Sequence, residues 1–100
     1  MVRTESEGRA HAKEQHGQQA PPGKSRFRDE GRIDELVDQT KQGPAVIMDD
    51  MPQVGFRKKF KKFRHVGIDG QTGRAVDWVC VIEDMMTGAI QTAYPVRTPR

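Results

Sequence analysis

The sequence predicts an α+β fold, in which short N-terminal helices pack on a C-terminal antiparallel β-sheet that ends in a β-hairpin. Two apolar, β-branched runs lie within Ala75–Val96 and are separated by a Met-Thr-Gly turn, which is typical of a hairpin. Within Arg28–Gln42, apolar residues recur at the spacing of an amphipathic helix. The segment HAKEQHG, His11–Gly17, is built from good helix formers and closes with glycine. We therefore expect one sheet with a few helices packed on it.

Length and composition favour one small domain. The chain has 100 residues, of which 34% are apolar, and its mean hydropathy is −0.81. The single cysteine, Cys80, cannot form an internal disulfide, and its place in an apolar strand indicates a packing role. No apolar run approaches the length of a membrane span, and the N-terminus lacks the apolar core of a signal peptide. We expect a soluble protein with no targeting segment and no membrane partner.

Charge is concentrated in one segment. The chain has 17 basic and 14 acidic residues, a net charge of +3. Without the six cations of RKKFKKFR, 11 basic residues stand against 14 acidic ones. Such polarity suits a polyanionic partner better than the total charge suggests. This basic run comprises Arg57, Lys58, Lys59, Lys61, Lys62 and Arg64.

The N-terminal half divides into a linker, a short helix and a loop. Residues 1–10 carry charge, Ser, Thr and Gly without apolar spacing, which predicts a mobile linker. A folded domain is expected over 11–96, followed by a tail at 97–100. His11 and His16 would lie about 140° apart on a continuous helix. We expect His11 on the helix and His16 at its end, turned back by Gly17 toward the same cleft. The Pro-Pro-Gly loop that follows presents Lys24 and Ser25.

The middle of the chain contains the best-patterned helix. Within Arg28–Gln42, four residues form a stripe at helical spacing, and Gly43-Pro44 predicts the helix end. Ala45–Met48 is a candidate short strand. The basic run is ambiguous because its phenylalanines fit helical spacing while its sequence continues into a turn; we favour a strand for its C-terminal half. The stripe consists of Ile33, Leu36, Val37 and Thr40.

The C-terminal hairpin should supply a rigid platform. Its first strand is apolar on both faces, with one face formed by alternate residues from Val76 to Ile82 and the other by Val79 and Val81. This pattern predicts a central strand. The second strand places Thr92 and Tyr94 two residues apart and on one face, so their hydroxyls are candidates for a site.

Five residues together have the chemistry needed to cleave RNA. Two imidazoles that titrate near neutrality can supply a base and an acid together. A lysine can stabilise charge on a pentacovalent phosphorus, and hydroxyls can position a substrate. One histidine would remove the proton of the ribose 2′-OH and the other would protonate the departing 5′-oxygen, without a metal or cofactor. The candidate catalytic residues are His11, His16, Lys24, Thr92 and Tyr94.

The order AHAKEQHG, PPGKSRF, an amphipathic helix and a closing hairpin that ends in TAYP resembles the bacterial EndoU-type ribonuclease domains. These lie at the C-termini of polymorphic and contact-dependent inhibition toxins, within the wider barnase, EndoU, colicin and RelE-like set. The resemblance covers residues 11–96. It implies that His11 and His16 match the paired catalytic histidines and that Thr92 and Tyr94 match a Thr-x-Tyr element that positions the substrate. Lys24 takes the lysine position, which residues 58–62 could fill instead.

The resemblance also implies partners and a place of action. The substrate would be RNA, such as tRNA, and a cognate immunity protein, expected to be acidic, would inhibit the enzyme. The domain would be secreted or delivered at the cell surface as part of a larger toxin, and it would act in the cytoplasm of the target cell.

Other interpretations use fewer of these residues. A non-catalytic RNA-binding module would need only the basic run, and a fragment of a phage or structural protein could have a similar sheet. A zinc site formed by His11, His16, His65 and Cys80 lacks the spacing of zinc-finger ligands. Trp78 is expected in the core, and the basic run could be a solvated edge strand.

Overall fold

The computed structural model describes residues 2–43 and 47–99 and confirms the α+β fold class. No helix within these residues has the length and apolar character needed to cross a membrane. In chain order, the elements are α1 (Glu5–His16), β1 (Arg26–Phe27), a 3₁₀ turn (Glu30–Arg32), α2 (Ile33–Gln42), β2 (Ile47–Met51), β3 (Phe56–Ile68), β4 (Ala75–Asp84) and β5 (Ile90–Val96).

Helix α1 begins earlier than the sequence analysis expected. The Thr4 hydroxyl accepts a hydrogen bond from the Glu7 N–H at 3.2 Å, and the Glu7 carboxylate accepts one from the Thr4 N–H at 2.9 Å, which forms a capping box. The assignment of residues 1–10 to a linker is therefore wrong for 5–10, which are helical. His11 lies within the helix and His16 is its last residue, as expected. The expected turn at Gly17 does not bring them together, because both residues are helical and leave the helix in different directions.

Helix α2 has the predicted stripe. Ile33, Leu36, Val37 and Thr40 are all buried, and the Thr40 hydroxyl donates to the Leu36 carbonyl at 2.8 Å. The helix ends at Gln42, with the N–H of Gly43 donating to the Gln39 carbonyl. The proline of the predicted Gly43-Pro44 stop lies outside the described residues, as do Ala45 and Val46 of the candidate strand Ala45–Met48. A strand does form nearby, over Ile47–Met51.

The five strands form one antiparallel sheet. Strand β3 pairs with β4, and β4 pairs with β5, so β4 is the predicted central strand of the confirmed hairpin. The other edge of β3 is shared by β2, along residues 56–60, and by β1, opposite Gly67 and Ile68. The whole basic run lies in β3, whereas the sequence analysis favoured a strand only for its C-terminal half.

The two faces of the sheet differ in what covers them. Val79 and Val81 join the buried cluster formed with the apolar residues of α1 and α2, and we call this side the helix face. Cys80 alternates to the other side, where it pairs with Phe60 on one neighbour and Tyr94 on the other. We call this side the opposite face. Both Phe60 and Cys80 are fully buried there, and Trp78 is partly buried.

Candidate active site

The centre of the candidate site is the pair His16 and Tyr94. Their ring centroids lie 5.4 Å apart, with an interplanar angle of 37°. Tyr94 belongs to β5, and His16 is the last residue of α1, which packs along β5. The structure thus brings together two of the five residues that the sequence analysis selected, one from each end of the domain.

The loop after α1 fixes the His16 ring. Its Nδ1 lies 2.8 Å from the Ser25 carbonyl oxygen, which can only accept, so Nδ1 carries the proton in this hydrogen bond. In the neutral ring, Nε2 is then the unprotonated nitrogen. Burial lowers the pKa of His16, assisted by the nearby cations Lys24 and His11, while the bond to Ser25 opposes the shift. At neutral pH, His16 is therefore an oriented, uncharged base.

His11 and Lys24 lie in the same electrostatic environment. Burial is the largest cause of a lowered pKa at His11, and Arg3 and Lys24 add to it, while Glu14 opposes it. His11 also contributes to the shift at His16. The predicted histidines and lysine are thus within interaction range, although His11 and His16 point from different faces of α1. A bound phosphate would act against these cationic effects and raise both histidine pKa values.

The Tyr94 hydroxyl interacts with Cys80, directly across from it on β4. Burial raises the pKa of Tyr94 well above its usual value, and the Cys80 interaction raises it further. The phenol therefore stays protonated at any working pH, so it can donate a hydrogen bond but cannot act as a base. Burial also raises the pKa of Cys80, to about 11, which makes its thiol unreactive in the folded protein.

Thr92 lies on the same face as Tyr94 but is less accessible than expected. It pairs with Ile82, and its hydroxyl oxygen is buried with no hydrogen-bond partner among the described residues. A buried hydroxyl without a partner is costly. Thr92 could contact a substrate only after its cover shifts, so in the free protein it is a neighbour of the site and not an exposed part of it.

Strand alternation divides the basic run between the two faces. Lys58 and Lys62 pair with Ile82 and Trp78, which places them on the opposite face with Thr92 and Tyr94. The next residues along β3 alternate to the helix face, where their charges are engaged. Arg57 forms an ion pair with Asp50, and Lys59 forms one with Glu83 at 3.0 Å. The Lys61 ammonium lies 5.9 Å from the centroid of the Phe63 ring.

Arg64, the last member of the basic run, lies beyond both groups. A bulge interrupts the register of β3 after Lys62, and Arg64 lines a cavity with residues of α2 and of the segment after β1. The six cations predicted to bind RNA therefore do not form one patch. Only Lys58 and Lys62 share a face with Tyr94.

An open cavity of about 370 Å³ adjoins Tyr94. Its walls include Ser25 and Tyr94, the turn that follows β3, and Arg97 and Thr98 of the segment assigned to a tail. His16 does not line this cavity, but its hydrogen-bond partner Ser25 and its ring neighbour Tyr94 both do. The cavity is large enough for a nucleotide-sized group.

The zinc alternative is not supported by the placement of its residues. Within residues 2–43 and 47–99, no group of three or more histidine, cysteine or acidic side chains is arranged to hold a metal ion. Cys80 is buried in the sheet, while His65 lies at the bulge in β3.

The sequence analysis did not assign two residues, Ser25 and Cys80, to the candidate site. Ser25 was identified as a loop residue, yet its carbonyl orients His16, and a backbone contact of this kind leaves no mark in the sequence. Cys80 was assigned to packing, and its register opposite Tyr94 was not considered. A two-residue count along the predicted hairpin could have found this pairing.

Comparison of the chain with protein-family models, with curated proteins and with solved structures finds no match.

Proposed function

We propose that this chain is a metal-independent endoribonuclease that cleaves RNA by attack of a ribose 2′-OH on the adjacent phosphate, leaving a 2′,3′-cyclic phosphate. The observation that carries this proposal is the His16 imidazole, oriented by Ser25 and placed 5.4 Å from the Tyr94 ring centroid. Lys24 and His11 are near enough to influence its pKa. Such an arrangement can bind an anion and move protons at neutral pH.

The geometry suggests separate roles for the two histidines. His16 keeps its proton on Nδ1 for Ser25, so Nε2 accepts the proton of the 2′-OH as the bond from the 2′-oxygen to phosphorus forms. His11, whose pKa the bound phosphate raises so that it carries a proton, donates that proton to the 5′-oxygen as its bond to phosphorus breaks. Lys24 stabilises the charge that develops on the phosphorane oxygens, and the Tyr94 hydroxyl donates a hydrogen bond to a substrate oxygen.

The opposite face of the sheet offers a path for the rest of the RNA. Lys58 and Lys62 flank the row formed by Phe60, Cys80 and Tyr94. Trp78 lies between Lys62 and Val96 across the sheet, and an aromatic ring beside cations suits a stacked base and its phosphate. Single-stranded regions, such as the loops of tRNA, are the RNA elements whose bases are free to stack.

Substitution of the histidines tests the proposal. His16→Ala and His11→Ala should each lower the rate of tRNA cleavage by about 10² to 10⁴, the usual loss for a general acid or base. Gln15→Ala is the matched control, because Gln15 belongs to the same helix and has no assigned role. Equal activity of wild type and both histidine variants would overturn the assignment.

Lys24→Ala separates two possible sources of the stabilising cation. If Lys24 serves the phosphorane, turnover should fall more than RNA affinity. An unchanged rate would transfer the role to Lys58 or Lys62, which share the face of Tyr94.

The alternative function is a non-catalytic RNA-binding module that uses the basic run. This module would leave RNA intact, whereas the enzyme would not. The division of the run favours the enzyme, because Arg57 and Lys59 are paired with carboxylates instead of facing a ligand.

The proposed enzyme requires a partner that restrains it in the cell that makes it. By the resemblance to toxin domains, we infer a cognate acidic immunity protein and delivery as part of a larger secreted or cell-surface toxin to the cytoplasm of a target cell. Acidic side chains would complement Lys58 and Lys62 and cover the approach to Tyr94. Expression of the domain alone in a bacterium should arrest growth, and His16→Ala should relieve the arrest. Normal growth with abundant wild-type protein and intact RNA would contradict this inference.

A further inference from the structure

A second cavity, also of about 370 Å³, lies between the start of α2 and the bulge in β3. Its floor is formed by Leu36 and Val66, which are 2% and 4% exposed. Its rim is formed by one acidic and four basic or imidazole side chains, namely Asp29, Arg28, Arg32, Arg64 and His65. This cavity shares no lining residue with the one beside Tyr94.

The bulge is what turns Arg64 and His65 toward this cavity. The pairs Lys62–Trp78 and Gly67–Val76 bracket it, so that residues 63–66 of β3 face Asp77 alone. His65 has a φ of 48°, and its N–H donates to the Asp77 carboxylate at 2.8 Å. A left-handed backbone at a residue other than glycine is uncommon and often marks a functional position. Here the Asp77 side chain, on β4, holds the His65 backbone in this conformation.

Two of the cations around this cavity, Arg28 and Arg64, lack the carboxylate partners that cations elsewhere in the domain have. Arg9 forms ion pairs with Glu5, Asp34 and Asp38, and Arg57 pairs with Asp50. Within the described part of the chain, the Arg64 side chain makes no hydrogen bond or ion pair, and the Arg28 side chain bonds only to the His65 ring, at 3.4 Å. Arg32 has one long contact, at 3.5 Å, with Glu35.

The single carboxylate at the rim does not neutralise the cluster. Asp29 accepts a hydrogen bond from the N–H of Gly31, at 3.0 Å, as the cap of the 3₁₀ turn. Three guanidinium groups therefore surround one apolar-floored cavity, with two carboxylates near them: Asp29 at the rim and Glu35, 3.5 Å from Arg32. An anion with several oxygens would relieve their mutual repulsion and accept their paired N–H donors.

We propose that this arginine cavity binds a phosphate group of the RNA substrate at a position separate from the bond that is cleaved. The identification of the phosphate as part of RNA rests on the proposed function, but the inference that the cavity binds an anion does not depend on it. Strand β1 connects the two sites: Ser25, before it, contacts His16, and Arg28, after it, borders the arginine cavity. An extended strand of this length separates them by roughly 10 Å, so one RNA chain can reach both.

The test measures inorganic pyrophosphate binding by titration calorimetry and tRNA binding as a function of salt, the latter in a His16→Ala background. Arg64→Gln and the double variant Arg28→Gln, Arg64→Gln should weaken pyrophosphate binding by about tenfold or more. Arg74→Gln is the matched control, because Arg74 is an exposed arginine that does not line the cavity. The double variant should also lower the log–log salt slope of tRNA binding by about 0.7 to 0.9, the loss of one phosphate contact.

Three results would overturn the proposal: no pyrophosphate binding, an equal loss with Arg74→Gln, or an unchanged salt slope for tRNA. In the last case, a free phosphate compound and not RNA would be the ligand of the cavity. Arg64→Gln removes an exposed side chain without partners in the described structure, so it should fold, and a thermal unfolding scan checks this. If the arginine variants weaken binding as expected but the wild-type chain does not cut RNA, only the proposed function would be refuted.

Discussion

Gly8 of α1 lies directly against the backbone of Ile90 in β5, so close that a β-carbon on Gly8 would overlap the Ile90 carbonyl oxygen. One turn earlier, the Glu5 carboxylate accepts a hydrogen bond from the Ile90 N–H at 2.9 Å. The helix therefore docks on the backbone of the strand. Because α1 carries His11 and His16 and β5 carries Tyr94, this contact sets the geometry of the candidate site.

Gly8→Ala should destabilise the domain, although alanine normally favours a helix. The methyl group would force α1 away from β5, and overpacking of this kind costs about 1–3 kcal/mol. The free energy of unfolding in urea measures the effect, and RNA cleavage should fall with it because His16 moves from Tyr94. Ser6→Ala, at an exposed position of the same helix, is the control and should change stability little. Equal stability of Gly8→Ala and wild type would mean that the close approach is not present.

Stability should decrease as the pH falls below about 6.5, the ordinary pKa of histidine. Burial lowers the pKa of His16 in the folded state, so below this pH the unfolded chain binds a proton that the folded chain does not. The contribution of neutral His16 to the free energy of unfolding is fully present above its pKa in the unfolded chain. This contribution is lost as the pH falls toward its lower pKa in the folded protein. Carboxylates such as Asp34, whose pKa is lowered by Lys13, affect the pH dependence of stability only at more acidic pH.

Thermal unfolding between pH 7.5 and 5.5 measures this effect. The unfolding temperature of wild type should fall more over this range than that of His16→Gln, which lacks the imidazole. An identical pH dependence in the two proteins would show that His16 is not desolvated by the fold.

Lys58 and Lys62 should contribute to RNA binding without contributing to stability. Replacing both with serine should lower the log–log salt slope by about 1.4 for single-stranded RNA, since each phosphate contact contributes about 0.7. The variant should unfold at the wild-type temperature, because neither lysine forms a salt bridge within the described residues.

Lys59→Met is the matched comparison within the same strand. Lys59 pairs with Glu83 at 3.0 Å, and the side chains are 16% and 6% exposed. Removal of one partner from such a buried pair costs roughly 3 kcal/mol. This variant should therefore lose stability while its salt slope stays unchanged. A slope that falls equally in both variants would contradict the division of the basic run between the two faces.

Tyr94→Phe should lower the cleavage rate and leave the fold intact. The substitution keeps the ring that packs 5.4 Å from His16 and removes only the hydroxyl. The partner of that hydroxyl, Cys80, is a weak hydrogen-bonding group, so its loss costs little stability. Single-turnover cleavage with saturating enzyme measures the chemical step. Full activity would reduce Tyr94 to a packing residue.

The fold was predictable where packing follows a single period. The stripe of α2 is buried as its spacing predicts. In β4 the alternation selects buried Val79, Cys80 and Val81, whereas Trp78, expected in the core, and Ile82 are only partly buried. Helix α1 has no such stripe, because its buried positions, Gly8 and Ala12, pack by close approach instead of by large side chains. The Thr4–Glu7 capping box was present in the sequence and could have placed the start of this helix.

The site was predictable in its residues more than in its arrangement. The rings of His16 and Tyr94, both selected from the sequence, lie 5.4 Å apart. The partners of the basic run depend on strand register, which a sequence does not display. Phe56, Phe60 and Phe63 fit helical spacing, and only pairing with β2 and β4 makes this segment a strand. The bulge at His65 likewise follows from tertiary contacts, including the Asp77 carboxylate.

The most direct test of the central claim is the chemistry of the RNA ends that the purified protein leaves in the presence of EDTA. If His16 and His11 perform acid and base catalysis on the ribose 2′-OH, mass spectrometry of the fragments should find 2′,3′-cyclic phosphate and 5′-hydroxyl ends, and His16→Ala should produce none. Fragments with 3′-hydroxyl ends, or RNA left intact by wild-type protein, would contradict the account.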